Sequence, residues 1–349
     1  LQIRPVISSL GYKIIKPLLF RCDPERVHES TLALLGPLGR TGLASAFLPA
    51  LVRDPVRVLG LDFPNRVGLA AGMDKHAACV PGFASMGFGF VEVGTLTPRP
   101  QSGNPKPRLF RIPEGDAIIN RMGFNNCGIA AGIRNLERRG DTIVGINLGK
   151  NAVTPQDKAA DDYLAGMEAA WDHADYLAIN ISSPNTKGLR DLQTGPAYIG
   201  LLQALRDQSN RLADRAGRVV PVVVKLAPDL TNDQARTMGR LAREHGISGV
   251  IATNTTLSRE GIPSDHPHRL EAGGLSGSPV RERSTEVISE LRAELGDDYP
   301  IIGVGGILIG RDAVEKVQAG ADLVQIYTGL VYRGPQLVHD CASALSNGA

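Results

Sequence analysis

Eight short runs of β-branched and other apolar residues recur along this chain, with helical spacing in the stretches between them. They are Arg66–Ala71, Phe90–Gly94, Ile143–Leu148, Tyr176–Ile181, Val220–Leu226, Gly249–Thr253, Pro300–Val304 and Asp322–Tyr327. Runs such as VPVVVKL are apolar almost without interruption, the pattern of parallel strands buried on both faces; a half-wet antiparallel sheet would alternate. Helices are expected over Asp157–His173, Thr194–Arg215, Asn232–His245, Val280–Leu295, Gly310–Ala319 and Gln336–Ser346, with shorter ones at Cys79–Met86 and Asn126–Arg139. Helix-start residues precede three of them: Thr154-Pro155, Thr231 and Ser278-Pro279. Eight β–α alternations without a break in composition predict an α/β fold, a closed (β/α)8 TIM barrel, over an open doubly wound sheet.

Composition narrows the function classes. The 349 residues can form one large α/β domain or two ordinary ones. With 38 basic and 36 acidic side chains the formal charge is +2, which gives no footprint of a nucleic-acid binder. Cys22, Cys79, Cys127 and Cys341 are far apart and form no C-x-x-C pair, so no zinc ribbon, iron–sulfur site or disulfide framework is expected. No metal is expected at His266-Pro-His268 either; without a carboxylate or cysteine at ligand spacing it reads as an exposed loop. No secretory signal is visible. The apolar stretch Thr41–Val52 is about a dozen residues, where ~20 are needed to span a membrane, and it holds Gly42 and Pro49.

In barrels of this kind function gathers where the strands end. Those ends carry Asp74 and Lys75, Thr95, Asn147, Asn180 with Ser182 and Ser183, Lys225, Thr253 to Thr255, Gly305-Gly306, and Tyr327-Thr328. Any one of these has an equally good reading as a turn residue or helix cap; eight together do not. Gly303–Ile307 (GVGGI) and Ile326–Leu330 (IYTGL) follow strands seven and eight, the usual phosphate pocket of such a barrel. The first is no dinucleotide fingerprint, because Leu308 replaces its third glycine.

Lys225 ends a run of valines, and a buried ammonium is costly unless paired or deprotonated. Two uses stay open: a Schiff-base nucleophile, or a charge beside a cofactor that becomes negative. Lys75 follows Asp74 in a tight turn and could pair with it. The segments NRMGFNN (Asn120–Asn126) and NISSPN (Asn180–Asn185), with Asn147 and Asn254, bring many carboxamides to one opening. Such groups suit a small flat ring of alternating N–H and C=O.

Taken in order, GLAAGMDK (Gly68–Lys75), Asn120–Asn126, NISSPNT (Asn180–Thr186), GLRDLQ (Gly188–Gln193), NTT (Asn254–Thr256), GGLSG (Gly273–Gly277), IIGVGGI (Ile301–Ile307) and QIYTGL (Gln325–Leu330) closely resemble the dihydroorotate dehydrogenases over essentially the whole chain. The resemblance is to the class 2, quinone-dependent branch. Ser183 stands where class 1 enzymes place a cysteine base, and Tyr12–Thr31 looks like the class 2 membrane-associated extension. Lys187 departs from the pattern, which has a smaller or apolar residue there.

The resemblance implies oxidation of dihydroorotate to orotate with FMN, a step of pyrimidine biosynthesis, and electron transfer to a membrane quinone. It implies FMN contacts at Ala71, Gly72, Thr95, Asn147, Asn180, Lys225, Thr253, Gly277, Gly306, Tyr327 and Thr328. Substrate would be held by Lys75, Asn120, Met122, Gly123, Phe124, Asn180, Asn185, Asn254 and Thr255, with Ser183 as the base. A quinone tunnel lined by Leu18, Leu19 and Phe20 would have His28, Arg111 and Tyr327 as its polar end.

Residues 1–52 are accordingly expected to form an N-terminal helical extension, and 53–349 the barrel. Pro17, Pro24 and Gly36 are expected to break the extension into short helices, a pair whose apolar face, rimmed by Arg4, Lys13, Lys16, Arg21, Arg26 and Arg40, lies on an anionic membrane. A plug at the barrel bottom, or an interface, is the plainer alternative. The expected location is the cytoplasmic face of a bacterial inner membrane, as a peripheral protein. Two rival functions remain at this stage: a Schiff-base aldolase using Lys225, and a non-catalytic membrane module that keeps the barrel as a scaffold.

Overall fold

The structure is a computed structural model that describes residues 3–42, 48–137, 139–193 and 195–348. Gln2, the side chain of Arg4, residues 43–47 of the Thr41–Val52 stretch and the expected helix start Thr194 lie outside the described residues and side chains.

Two helices open the chain, α1 (Ile3–Leu19) and α2 (Pro24–Arg40), followed by a hairpin of β1 (Val56–Val58) and β2 (Leu61–Phe63). Next come β3 (Val67–Leu69), α3 (Val80–Ala84), β4 (Phe90–Leu96), β5 (Leu109–Ile112), β6 (Ala117–Asn120) and α4 (Ile129–Leu136). The middle of the chain forms β7 (Ile143–Leu148), α5 (Ala159–Ala170), β8 (Tyr176–Asn180), α6 (Gly195–Ala216), β9 (Val222–Leu226) and α7 (Asn232–Glu244). It ends with β10 (Gly249–Ala252), β11 (Gly274–Gly277), α8 (Arg281–Leu295), β12 (Ile301–Val304), α9 (Gly310–Gln318), β13 (Leu323–Ile326), α10 (Thr328–Arg333) and α11 (Gln336–Gly348).

All eight expected strands pair in parallel and close into one barrel, in the order β3, β4, β7, β8, β9, β10, β12, β13 and back to β3. Their residues are buried along nearly their whole length, as uninterrupted apolar runs require. The expected helices fall between them within a few residues. At Thr231 both halves of a capping box are present: its hydroxyl accepts the Gln234 N–H, and the Gln234 side chain accepts the Thr231 N–H.

Two small sheets are absent from the sequence expectation. The β1–β2 hairpin closes the end of the barrel where the strands begin: Phe63 is fully buried and meets the Phe90 ring edge-on at 5.1 Å. This hairpin, not the N-terminal helices, is the bottom plug. On the opposite side β5, β6 and β11 form an antiparallel sheet over the core of Phe110, Ile112, Ile119 and Leu275. These strands are as short as several in the barrel but are half-exposed or broken by polar residues, so no uninterrupted apolar run marks them in the sequence.

The N-terminal expectation needs one correction: the pair of helices is there, but each runs for 17 residues instead of being cut short at Pro17, Pro24 and Gly36. Pro24 occupies the first turn of α2, where its missing N–H costs nothing, and Asp23 caps that turn. Pro17 falls in the last turn of α1. Glycines in α2 are contact points instead of breaks; a Cβ on Gly39 would lie 2.2 Å from the Gly82 nitrogen of α3. His266 and His268 lie in a loop, but their rings are half-buried, 5.5 Å apart, with His268 against Phe110 at 5.1 Å. They cover the small antiparallel sheet. No helix among the described residues is long and apolar enough to cross a membrane.

Candidate active site

Seven of the barrel strands send residues into one cavity at the end where they finish, about 990 Å³ with its open mouth included. All the residues expected to hold substrate line it: Lys75, Asn120, Met122, Gly123, Phe124, Asn180, Asn185, Asn254 and Thr255. Ser183 lines it too, as do Ala71, Gly72, Thr95, Lys225, Thr253, Gly277, Gly306, Tyr327 and Thr328. Asn147 of β7 stands one layer behind. Its carbonyl accepts the Thr95 hydroxyl (2.6 Å) and the Asn180 amide (3.3 Å), and its own amide donates to Glu92 (2.8 Å).

The neutral groups form a continuous network. Asn254 donates to the Ser182 hydroxyl at 2.9 Å, Ser182 to the Asn180 carbonyl at 3.3 Å, and the Asn180 amide to Thr95 at 3.1 Å. Asn185 donates to the Asn120 carbonyl at 3.2 Å, joining the loop after β8 to the end of β6. The Asn185 N–H also donates to the Ser183 hydroxyl oxygen at 3.3 Å. Phe124 holds φ +54°, an uncommon backbone for a bulky residue, which the surrounding loop imposes.

Three buried polar atoms on cavity residues have no partner among the described residues: Thr255 Oγ1, Asn125 Oδ1 and Gln325 Oε1. Unpaired buried oxygens are rare and costly, so the cavity is built for a polar ligand. Its far end is a glycine cradle. A Cβ on Gly306, at φ +74°, would fall 2.3 Å from Arg281 Cβ, and Ser276 and Thr328 exchange a hydroxyl hydrogen bond at 2.8 Å beside it. Backbone N–H groups, hydroxyls and a strand-end glycine pair are the donor set a phosphate takes. A phosphate at one end and a flat polar ring at the other match the residues present.

Charge is concentrated on two lysines. Lys75 is buried and donates to the Gly72 carbonyl. Burial pushes its pKa down to about 8; Glu25 and Asp74 pull it back up, and Arg108 lowers it. Asp74 is not its hydrogen-bond partner. That carboxylate accepts the N–H groups of Ala78 (3.0 Å) and Cys79 (2.7 Å) and ties off the turn into α3. Lys225 projects from β9 with Glu92 at 3.7 Å beneath it.

The expected quinone residues are spread wider. Tyr327 lines the cavity and donates to the Gly72 carbonyl at 3.4 Å. His28 and Arg111 do not line it. His28 on α2 is held neutral: burial, then the charges of Lys75 and His76, push its pKa to about 3. Arg111 on β5 donates to the carbonyls of Leu19 (3.0 Å), Phe20 and Cys22, capping the end of α1, and stacks over Phe20 at 4.5 Å. Phe20 packs edge-on against Tyr332, in an apolar cluster with Ile118, Leu308 and Val331.

Sequence reasoning missed three supporting groups. Glu92 is a lone carboxylate inside the apolar run FVEVG; the argument applied to Lys225, that a buried charge needs a partner, applies equally to it. Arg190, in the GLRDLQ motif, donates to the Ser182 carbonyl (2.9 Å), the Thr255 carbonyl (2.8 Å) and Asp229 (2.7 Å), so it clamps together the loops that carry Ser183 and Thr255. The buried pair Glu25–Arg108 (2.7 Å) joins α2 to the loop before β5. Arg108 also donates to the Asn104 carbonyl, and Asn104 in turn donates to the Asn185 carbonyl at 3.2 Å. Only pairing across distant segments gives Glu25 and Arg108 meaning, and sequence spacing does not show it.

Known proteins resemble this chain in sequence and in fold. The dihydroorotate dehydrogenase family profile matches residues 55–347. A dihydroorotate dehydrogenase (quinone) of Chromobacterium violaceum is 56% identical over 334 residues, covering 95% of this chain and 97% of its own. One from Burkholderia pseudomallei is 55% identical and covers 98% and 100%. Among solved structures, the ligand-free DHODH of Eimeria tenella superposes with a TM-score of 0.82 at 39% identity, over 93% of this chain and 94% of its own. The same enzyme in complex with ferulenol gives 0.83 at 38%, over 93% and 91%. With a strand-end cavity of this composition and relatives matching nearly end to end, the chain belongs to the dihydroorotate dehydrogenase family.

Proposed function

We propose that this chain oxidises dihydroorotate to orotate in pyrimidine biosynthesis, with FMN as resident cofactor and a membrane quinone as final acceptor. The observation that carries this reading is the single cavity that unites Ser183, the carboxamide cluster, two lysines and a glycine cradle. The aldolase and scaffold alternatives fall to the family assignment.

The residues present fit FMN: Gly306, Gly277 and Thr328 would hold its phosphate, and Ala71, Gly72, Thr95, Asn180, Lys225, Thr253 and Tyr327 its ring, with Asn147 supporting Thr95 and Asn180 from behind. FMN held there would supply a two-electron acceptor for the hydride at C6 of the substrate and a relay toward quinone. The chain's part is to orient the substrate and move its other proton. Asn120, Asn185 and Asn254 read the ring edge, Thr255 offers its unpaired hydroxyl, and Met122, Gly123 and Phe124 close over it. Lys75 balances the substrate carboxylate. Ser183 Oγ takes the C5 proton as the C5=C6 double bond forms.

We divide the chain functionally into the extension, residues 1–52, and the barrel, 53–349. Ile14 and Leu18 lie one turn apart on α1, Leu34 and Leu38 one turn apart on α2, and all four are exposed. With Lys13, Arg21 and Arg40 also exposed, these faces suit peripheral attachment to the cytoplasmic face of a bacterial inner membrane. A quinone would enter between the helices past Leu18, Leu19 and Phe20, with Arg111, His28 and Tyr327 as the polar groups of its path. The test is a visible spectrum of the purified protein before and after anaerobic dihydroorotate. A flavin band that bleaches is expected; a colourless protein that does not take up FMN would refute the reading.

A further inference from the structure

Glu92 lies in the middle of β4 and is completely buried inside the barrel. Every polar neighbour recorded for its carboxylate is a donor. Asn147 reaches Oε1 at 2.8 Å; Gln325 and Tyr176 reach Oε2 at 2.7 and 3.0 Å; Lys225 Nζ stands 3.7 Å from Oε1. Burial first, and then the Glu92 charge, hold the Tyr176 phenol well above its ordinary pKa, so it stays a donor. A carboxylate in a barrel interior is retained only with partners of this kind.

The layering of these groups has a direction. Lys225 and Gln325 line the cavity, whereas Glu92, Tyr176 and Asn147 do not. Lys225 is therefore held between a fixed anion below and the cavity above. At 3.7 Å it is an ion pair without a hydrogen bond, which leaves its N–H groups free for a ligand. The carboxylate also fixes the sense of the Gln325 amide: Nε2 faces Glu92, and Oε1 is left as the unpaired acceptor.

We propose that Glu92 is a positioning residue that sets the redox poise of the bound flavin, holding Lys225 in place and offsetting its charge. This rests on the FMN reading above. A lone buried cation would over-stabilise the reduced, negatively charged flavin and make it reluctant to surrender electrons to quinone. A lone anion would do the reverse. The pair keeps both halves of the cycle downhill.

The test is the midpoint potential of the bound flavin, measured by spectrophotometric titration of FMN-loaded full-length protein. Glu92→Gln removes the charge and preserves the shape, so the potential should rise, with the oxidised-to-reduced equilibrium moving on the order of tenfold or more toward reduced flavin. Tyr176→Phe removes a donor from the carboxylate and leaves its charge less compensated, so the potential should fall, by less. Opposite signs are the signature of the charge. An unchanged potential in Glu92→Gln, or shifts of the same sign in both variants, would overturn the assignment. If Glu92→Gln does not retain flavin, the sign in Tyr176→Phe decides alone. Wild-type protein that binds no FMN would refute the function itself; a yellow, bleachable wild type with variants at its potential refutes only the role of Glu92.

Discussion

The barrel mouth and the N-terminal helices are built on opposite terms. Around the mouth the supporting residues are enclosed: β4, β8 and β9 are buried throughout, and Glu92, Asn147, Thr253 and Ser182 have almost no contact with solvent. On α2, by contrast, only Glu25, Leu35 and Gly36 are buried, while Leu18 on α1 and Leu34 on α2 are 61% and 67% exposed. The barrel residues are determined by one another; the extension meets the rest of the chain along one side only, through the Glu25–Arg108 pair, Gly39 against Gly82 and Phe20 against Tyr332, and leaves apolar residues of its other side exposed.

The largest effect is expected at the mouth. Ser183→Ala should slow anaerobic bleaching of the flavin by dihydroorotate on the order of 10³-fold, the usual weight of a positioned base, with FMN retained. Unchanged bleaching would move the proton transfer to another group. Next is the inward link. Glu25→Gln leaves Arg108 buried without its anion, and breaking such a pair costs about 3–5 kcal/mol. Urea unfolding should show that loss, and orotate should bind more weakly because Arg108 anchors Asn104, which donates to the Asn185 carbonyl. Equal stability would mean that α2 docks on apolar contacts alone.

The outward face comes third. Leu18→Glu combined with Leu34→Glu should weaken binding to vesicles containing anionic lipid by about tenfold or more, since both leucines lose apolar burial in the lipid. Quinone reduction should fall with it, while flavin reduction by dihydroorotate stays as in the wild type. A parallel loss of both activities would show that the two regions are not separable in the way their burial suggests.

This division also explains what could be read from the sequence. The eight strands were legible because burial on both faces demands uninterrupted apolar runs, and the polar residue at each end then stands out against them. Lys225 was visible for that reason, and Glu92 would have been, had its run been read for charge as well as for apolar length. The hairpin that plugs the barrel was not legible, since Arg57 and Asp62 interrupt its two short strands and leave no continuous apolar run to mark them. Nor were Glu25 and Arg108, 83 residues apart, whose pairing depends on how α2 crosses the loop before β5. In the extension Gly36 reads as a helix breaker, because the sequence does not show that the turn into α3 lies against it.

The smallest expected effect is the one that ties the two regions together. Burial holds the Lys75 pKa at about 8, below the ordinary lysine value, and the Glu25 charge on α2 is the leading influence pulling it back up. The sign follows directly: Lys75 is cationic below about pH 8 and loses its proton above it. Orotate, an anion, binds the protonated form, so its affinity should be flat at lower pH. Above pH 8 it should weaken by about tenfold per unit, until the higher pKa of the complex is reached. Binding at about pH 9 should correspondingly take up close to one proton, measurable by calorimetry in buffers of different ionisation enthalpy. In Glu25→Gln the raising charge is gone and Arg108 is unopposed, so the break in the profile should move to lower pH. A break that stays in place would show that Lys75 responds to its burial alone and that the extension touches the substrate site through geometry, not through charge.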